Sequence, residues 1–305
     1  MKNIVLFSIK LILFAVVILI LIFQFVMPQY TTLYNASIID KVERLKTVGS
    51  PKIILVGDSN VAFGFDSEMI QDAFNMPVVN FGLHGSLGQD FHSDMIRDYI
   101  NEGDIVVLAP AGYDYNVRSY DCVMAWVTIE NHFYLWKGID YRNYPRMLAA
   151  FPTYLKRAIG LFITGKGNSV EDNPWGRNDF NIYGDYSHPR PECRIDGDNY
   201  EQYFQSSELS DQLRDYWNSY NDFVKSKGAT LFMSAPPILS VTLNVDLEAM
   251  QQQLEDGLNF PMISRLDDYI YPREYFYDTG FHLNDIGKVA RTQQFISDLS
   301  AALGR

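Results

Sequence analysis

The chain has 305 residues, of which 47% are hydrophobic and 20% are charged, a composition that excludes a disordered chain and allows one large domain or two small ones. Its formal net charge of −12 argues against a nucleic-acid partner, because phosphate contacts need clustered Lys and Arg. The cysteines, Cys122 and Cys193, are too few for a disulfide framework and lack the paired spacing of a zinc site, but a single disulfide between them stays open.

The N-terminal segment is strongly apolar. Residues 11–27 form an almost unbroken apolar run that residues 4–9 extend, so the segment can cross the roughly 30 Å hydrocarbon core of a bilayer. It ends without the small-residue cleavage site of a signal peptide. We therefore predict a transmembrane anchor over 1–29. The globular part is expected outside the cytoplasm, in the periplasm or the extracellular space, because a short tail carrying Lys2 most simply stays inside.

After an amphipathic connector over 30–50, strand and helix patterns alternate along the chain. Short apolar runs predict the strands Lys52–Val56, Val78–Phe81, Asp104–Ala109 and Thr230–Ser234. Amphipathic stretches predict the helices Ser67–Phe74, Asp90–Asn101, Tyr144–Phe162, Ser207–Lys227 and Asp285–Leu303. The alternation predicts an α/β fold, a three-layer α/β/α sandwich with a parallel sheet, whose functional groups lie at the carboxyl ends of its strands.

The alternation is interrupted between about 113 and 200, where the sequence is rich in aromatic residues, Pro and Gly. We interpret this stretch as an insertion or lid within one domain over 51–305. Its aromatic side chains, interleaved with Asp and Asn, would suit stacking on a carbohydrate. Packing of the insertion against the domain surface explains them equally well.

The tetrapeptide Gly57-Asp58-Ser59-Asn60 lies where the first predicted strand ends and a helix should begin. Gly57 allows a sharp turn, Asp58 can brace it, and the N–H groups of the helix start can face a developing oxyanion. Ser59 is therefore a candidate nucleophile, although a serine before a helix is also a common N-cap.

A serine hydroxyl needs a base to become a nucleophile, and His282 is the best placed of the five histidines. It precedes the last predicted helix, where the returning chain can bring an imidazole to the carboxyl edge of the sheet. Asp278, four residues earlier, can hold the imidazole tautomer and stabilise the imidazolium. We predict Ser59, His282 and Asp278 as the catalytic residues.

The other histidines support smaller predictions. His84 either contacts substrate or stabilises its loop, and His92 is expected to be exposed on a helix. His132 and His188 are expected at the surface of the insertion, with the lining of a substrate groove as the alternative. No spacing of His, Asp or Glu is typical of a metal site, so we expect no catalytic metal and no cofactor.

These segments together resemble the SGNH, or GDSL-like, hydrolase and acyltransferase superfamily. Gly57–Asn60 match its first sequence block, Asn80–Ser86 its second and Asp278–Thr292 its last. The resemblance covers about 50–110 and 228–303, and its last block is similar to membrane-tethered members such as the D-alanine transfer protein of lipoteichoic acid synthesis and the SGNH proteins of alginate O-acetylation. It implies an oxyanion hole formed by the N–H groups of Ser59 and Gly82.

Two departures from the family pattern matter. Asp278 is one residue farther from His282 than the usual spacing. The third block normally supplies an asparagine to the oxyanion hole, but the stretch from Ala111 to Asn116 has none at the expected place, so Asn116 or a donor from the insertion is the candidate substitute. Substrate contacts are expected from Asn60, His84 and Tyr113.

The resemblance implies a membrane-anchored O-acyltransferase that passes an acyl group, most simply acetyl, through an acyl-Ser59 intermediate to an extracellular or periplasmic polysaccharide. It also implies an integral membrane O-acyltransferase of the MBOAT type as the donor partner and a glycan as the acceptor. Two alternatives stay open: a membrane-anchored esterase or lipase that uses water, and a non-catalytic scaffold that retains the fold.

Overall fold

The computed structural model describes residues 2–114, 116–130, 132–168, 175–195, 208–240 and 245–305. The predicted first residue of one helix, Ser207, and parts of the 113–200 insertion lie outside these residues.

Four parallel strands form the main sheet in the order β2-β1-β3-β4. The strands are β1 (Ile53–Gly57), β2 (Val78–Gly82), β3 (Ile105–Leu108) and β4 (Thr230–Met233). The predicted strands are therefore confirmed to within one residue at each end. A further parallel pair, β5 (Ile238–Leu239) with β6 (Ile270–Tyr271), was not predicted.

Most of the predicted helices are confirmed, and two further helices lie in regions where none was predicted. They are α1 (Lys2–Leu21), α2 (Ser37–Thr47), α3 (Ser59–Gly64), α4 (Ser67–Phe74), α5 (Gly88–Met95), α6 (Cys122–Ile129), α7 (Tyr144–Thr164), α8 (Asp211–Ser226), α9 (Leu247–Gly257) and α10 (Asp285–Ala302). The helix predicted over Asp90–Asn101 is shorter than expected, because the chain passes from α5 into a separate 3₁₀ turn at Arg97–Tyr99.

Side chains on the two faces of the sheet belong to two separate apolar cores. Ile54 of β1 shares one core with Val42 of α2 and with side chains of α5 and α8. Its neighbour Ile53 shares the other with Ile70 of α4 and Phe295 of α10. Because successive strand residues point to opposite faces, helices pack on both sides of the sheet, which confirms the predicted α/β fold with a parallel sheet.

The N-terminal helix is long and apolar enough to cross a membrane. It continues from α1 through a π-helical turn to Val26, a run of 25 residues, and none of the residues of α1 is buried. The connector that follows is part of the folded domain, since α2 buries Ile38, Val42 and Leu45.

Glu130 holds the chain where it leaves this helix. Its buried carboxylate accepts hydrogen bonds from the N–H groups of Gln29 (2.8 Å) and Tyr30 (3.3 Å) and from the hydroxyl of Tyr154 (3.2 Å). Burial raises the pKa of Glu130 from 4.5 to about 7, and the three donors offset only part of that rise.

The raised pKa predicts a pH-dependent stability. Glu130 keeps its proton in the folded state over a range where the unfolded chain loses it, so its stabilising contribution is complete below about pH 4.5 and is lost as the pH rises through about 7. The loss should reach about 3 kcal/mol. The variant Glu130→Gln has no carboxyl group at this position, so its stability lacks this dependence on pH. Thermal unfolding of both proteins in detergent from pH 4.5 to 8 should therefore show the variant gaining stability relative to the parent as the pH rises, and parallel profiles would contradict the prediction.

Candidate active site

Asp58 braces the turn that presents Ser59, as predicted. Its buried carboxylate accepts from the N–H of Asn60 (2.9 Å) and from the N–H of Ala111 (3.0 Å), so it ties the end of β1 to the segment after β3. Ser59 is half-buried at the first position of α3. Its own N–H precedes the first bond of the helix and is therefore open to an external acceptor.

The structure brings His282 and Asp278 together. Imidazole Nδ1 and carboxylate Oδ1 are 2.8 Å apart, so a proton on Nδ1 is donated to Asp278 and leaves Nε2 as the basic nitrogen. The loop is closed by the Tyr277 N–H, which donates to the carbonyl of His282 (2.8 Å). The unusual spacing in sequence does not prevent the contact expected of an orienting carboxylate.

Two aromatic rings fix the plane of the imidazole. Phe63 is stacked on His282 with 3.9 Å between ring centroids and 12° between planes, and Trp175 meets it edge-on at 5.6 Å. Phe63 is itself stacked on Tyr186 at 4.3 Å. Sequence reasoning missed both neighbours. Phe63 could have been predicted as a neighbour of the site, because it follows Ser59 by one helical turn and so lies on the same side of α3. No pattern in the sequence around Trp175 indicates its contact with His282.

Ser59 and His282 line the same cavity, which has a volume of about 560 Å³. This lies within the range of about 300–1,000 Å³ typical of small-molecule sites. Within the part of the chain that the structure describes, no hydrogen bond joins the Ser59 hydroxyl to the imidazole. Proton transfer from Ser59 to His282 therefore needs a closer approach of the two side chains. Such longer distances are common in active sites before substrate binds. The cavity wall is largely apolar and includes Leu33, Tyr34, Phe63, Val127, Trp175 and Phe281.

Gly82 does not lie on this cavity. Its N–H donates to the side chain of Asn80 (3.0 Å), and a Cβ at this position would come within 2.3 Å of the backbone nitrogen of Ala62. Gly82 therefore allows β2 and α3 to approach closely, and its N–H is not available to an oxyanion in this conformation.

Gly85 lies on the wall of the cavity, where the sequence analysis expected Gly82. It is exposed in the cavity beside Ser59, and among the described residues its N–H has no hydrogen-bond acceptor. The free N–H groups of Ser59 and Gly85 are thus the backbone donors that the structure offers to a charged intermediate. Both glycines lie in the stretch that the sequence analysis singled out, but only Gly85 lines the cavity.

The structure does not place the other predicted substrate and oxyanion residues, Tyr113, Asn116 and Asn60, on the cavity wall. Tyr113 is only 2% exposed and packs edge-on against Trp217, so it belongs to the core and not to a substrate site. Asn116 is exposed and does not line the cavity, so it does not replace the missing asparagine here. Asn60 is buried and donates to the carbonyl of Ala109 (3.0 Å), which makes it a support of the turn.

Among the remaining histidines, His84 lines the cavity, where burial lowers its pKa. The prediction of an exposed His92 is wrong. His92 is fully buried, its Nε2 lies 3.1 Å from the carbonyl oxygen of His84, and burial lowers its pKa to about 4, so it supports this loop as a neutral ring. His188 is exposed at the surface as expected, His132 is half-buried, and neither lines the cavity.

Arg291 joins the last helix to the serine turn. Its buried guanidinium donates to the carbonyls of Asn60 (2.8 Å) and Ala235 (3.1 Å) and lies 4.1 Å from the ring centroid of Phe65. Burial lowers the pKa of Arg291 to about 10. The guanidinium therefore holds α10, the start of α3 and the end of β4 in one arrangement.

We expect Arg291→Met to destabilise the fold by about 2–4 kcal/mol, because it removes two buried hydrogen bonds donated by a charged group. Thermal or chemical unfolding in detergent measures the change. The matched control is Arg214→Met, which removes an arginine from the exposed face of α8 and should change stability little. Equal effects of the two substitutions would contradict the role given to Arg291.

Cys122 and Cys193 are both free thiols, so the disulfide left open by the sequence is not formed. Comparison with protein-family models finds no match to this chain, and comparison with curated proteins finds none either. The likeness to SGNH enzymes therefore depends on the motifs and on the site they form.

Proposed function

We propose that this protein is a membrane-anchored serine O-acyltransferase of the SGNH type, which transfers an acyl group, most simply acetyl, to an extracytoplasmic polysaccharide. The observation that carries the proposal is one cavity lined by both Ser59 and His282, with His282 oriented by Asp278. Helices packed on both sides of the sheet support the finer description of the fold as a three-layer α/β/α sandwich.

In the proposed first step, the Ser59 oxygen attacks the carbonyl carbon of the acyl donor while Nε2 of His282 takes the hydroxyl proton. The tetrahedral intermediate collapses, the bond to the leaving group breaks, and His282 gives the proton to that group. Asp278 stabilises the imidazolium throughout. The product is an ester of the acyl group with Ser59.

In the second step, a hydroxyl of the acceptor loses its proton to His282 and attacks the acyl-serine carbonyl. Collapse of this intermediate transfers the acyl group to the acceptor oxygen and returns the proton to Ser59. In both steps the negative charge on the carbonyl oxygen is stabilised by the N–H groups of Ser59 and Gly85.

The position of the cavity supports a donor that arrives at the membrane. Tyr30, Leu33 and Tyr34 line the cavity and follow the end of the apolar helix by only a few residues. A site held this close to a membrane surface suits acyl transfer from an integral membrane partner of the MBOAT type. The globular domain is then extracytoplasmic, where the polysaccharide acceptor lies.

The reaction can be tested with the full chain in detergent, a chromogenic acetyl ester and a panel of cell-envelope polysaccharides. We expect ester-linked acetyl groups on at least one polysaccharide, detected by mass spectrometry. Release of acetate alone, at a rate independent of every acceptor, would favour the anchored esterase. No turnover by either route, with a cellular phenotype that survives Ser59→Ala, would favour a scaffold.

A further inference from the structure

Helix α7 exposes an apolar stripe along one side. Leu148, Ile159, Phe162 and Ile163 are 64%, 39%, 51% and 76% exposed. Their separations of 11, 3 and 1 residues place them within one side of a helix of 3.6 residues per turn. The adjoining side of α7 packs on the domain, since Met147, Tyr154 and Ala158 are buried. The stripe thus continues the packed side of α7 around the helix onto the exposed surface.

Helix α7 packs against the end of the N-terminal helix. Phe23, near the end of that helix, stacks on Phe151 of α7 at 6.3 Å between centroids and meets the half-exposed ring of Phe133 at 5.0 Å. The hydroxyl oxygen of Tyr154 lies 3.1 Å from the carbonyl oxygen of Met27. These contacts place α7 at the level where the chain leaves the apolar segment, which is where the surface of a bilayer would lie.

The charge of α7 fits the same location. From 144 to 166 the chain carries four basic residues and no Asp or Glu, whereas the whole chain has 37 acidic and 25 basic residues. Arg146 donates to the carbonyl of Tyr120 within the domain, which leaves Lys156, Arg157 and Lys166 for an external anion. Apolar side chains on one face with cations beside them are typical of helices that lie in the plane of the interface and contact anionic headgroups.

We propose that α7 lies in the membrane interface, with its apolar stripe in the acyl boundary and Lys156, Arg157 and Lys166 among anionic lipid headgroups. It forms a second attachment beside the transmembrane helix. Arg157, which lines the cavity, then stands at the headgroup level, so the mouth of the cavity is held at the membrane surface. The proposal rests on the membrane-crossing helix and does not depend on the chemistry of Ser59.

The test uses the full chain, carrying a spin label, in vesicles of equal parts phosphatidylcholine and phosphatidylglycerol. Single cysteines replace Ile163 on the stripe, Thr153 on the exposed side next to it, or Val16 within the N-terminal helix, each in a Cys193→Ser background because Cys122 is buried. Power saturation compares contact of each label with oxygen, which partitions into the bilayer, and with a water-soluble nickel chelate. The ratio of oxygen to nickel accessibility should be severalfold higher at 163 than at 153.

Each outcome has a distinct meaning. The label at 16 must be inside the bilayer, which shows that the anchor is inserted and separates failure of the anchor from failure of the proposal. With 16 inserted, equal water exposure at 163 and 153 would overturn the proposal and indicate a protein partner for the stripe. Spin–spin broadening at 163 that disappears on dilution with unlabelled protein would also overturn it, in favour of a second copy of this chain.

Discussion

Ser59→Ala is expected to lower the rate of acyl transfer, and of ester hydrolysis, by at least about 1000-fold, because it removes the atom that carries the acyl group. The substitution should leave the fold intact, since Ser59 is half-buried and its hydroxyl supports no other element among the described residues. Steady-state release from a chromogenic ester, measured beside the melting temperature, tests both statements.

The matched control for this change is Ser226→Ala, which removes an exposed hydroxyl at the end of α8, far from the cavity in sequence and absent from its lining. It should behave as the parent protein in both assays. Retention of more than a tenth of the parent rate by Ser59→Ala would mean that another group carries the reaction.

Gly85→Pro is expected to lower the rate by about 100- to 1000-fold, the usual effect of losing one oxyanion donor. Proline removes the N–H at this position and little else. The preceding residue, His84, has φ −74° and ψ 133°, a conformation that a following proline accepts, and residue 85 begins a 3₁₀ turn, where proline fits. The readout is kcat for the chromogenic ester, with the melting temperature as a check of folding.

The control is Gly85→Ala, which keeps the N–H. An added Cβ would meet only the Cβ of Asp58, at 3.8 Å, so this variant should fold normally and stay within a few-fold of the parent rate. Equal kcat values for the proline and alanine variants would exclude the N–H of Gly85 from the reaction. The corresponding change at Gly82 is a poorer test, because any side chain there collides with Ala62.

Much of the scaffold could be predicted because its signals are local. Strands such as β1 are short apolar runs bounded by turn residues, and α4 was predicted with both ends correct because Asp66 caps it and its apolar residues repeat with helical spacing. Helix α6 was missed because its sequence is apolar on every side and shows no period. Its cap, Asp121, which accepts from the N–H groups of Val123 and Met124, was the signal that could have found it.

The site was only partly predictable for a related reason. Ser59, His282 and Asp278 could be chosen because each occupies a position whose chemistry is readable from adjacent residues. The burial of His92 and Tyr113, and the rings of Phe63 and Trp175 around His282, depend on contacts between distant segments. The choice between Gly82 and Gly85 depends on which N–H the fold leaves without an acceptor, and no local pattern carries that information.

The central claim is that His282 activates Ser59 as a nucleophile within one cavity. Its most direct test is reaction of the full chain with a fluorophosphonate, which forms a stable bond only with an activated serine, followed by peptide mass spectrometry. We predict one modified residue, Ser59, and loss of that modification in His282→Gln. An unmodified Ser59, or equal modification with and without the imidazole, would contradict the account.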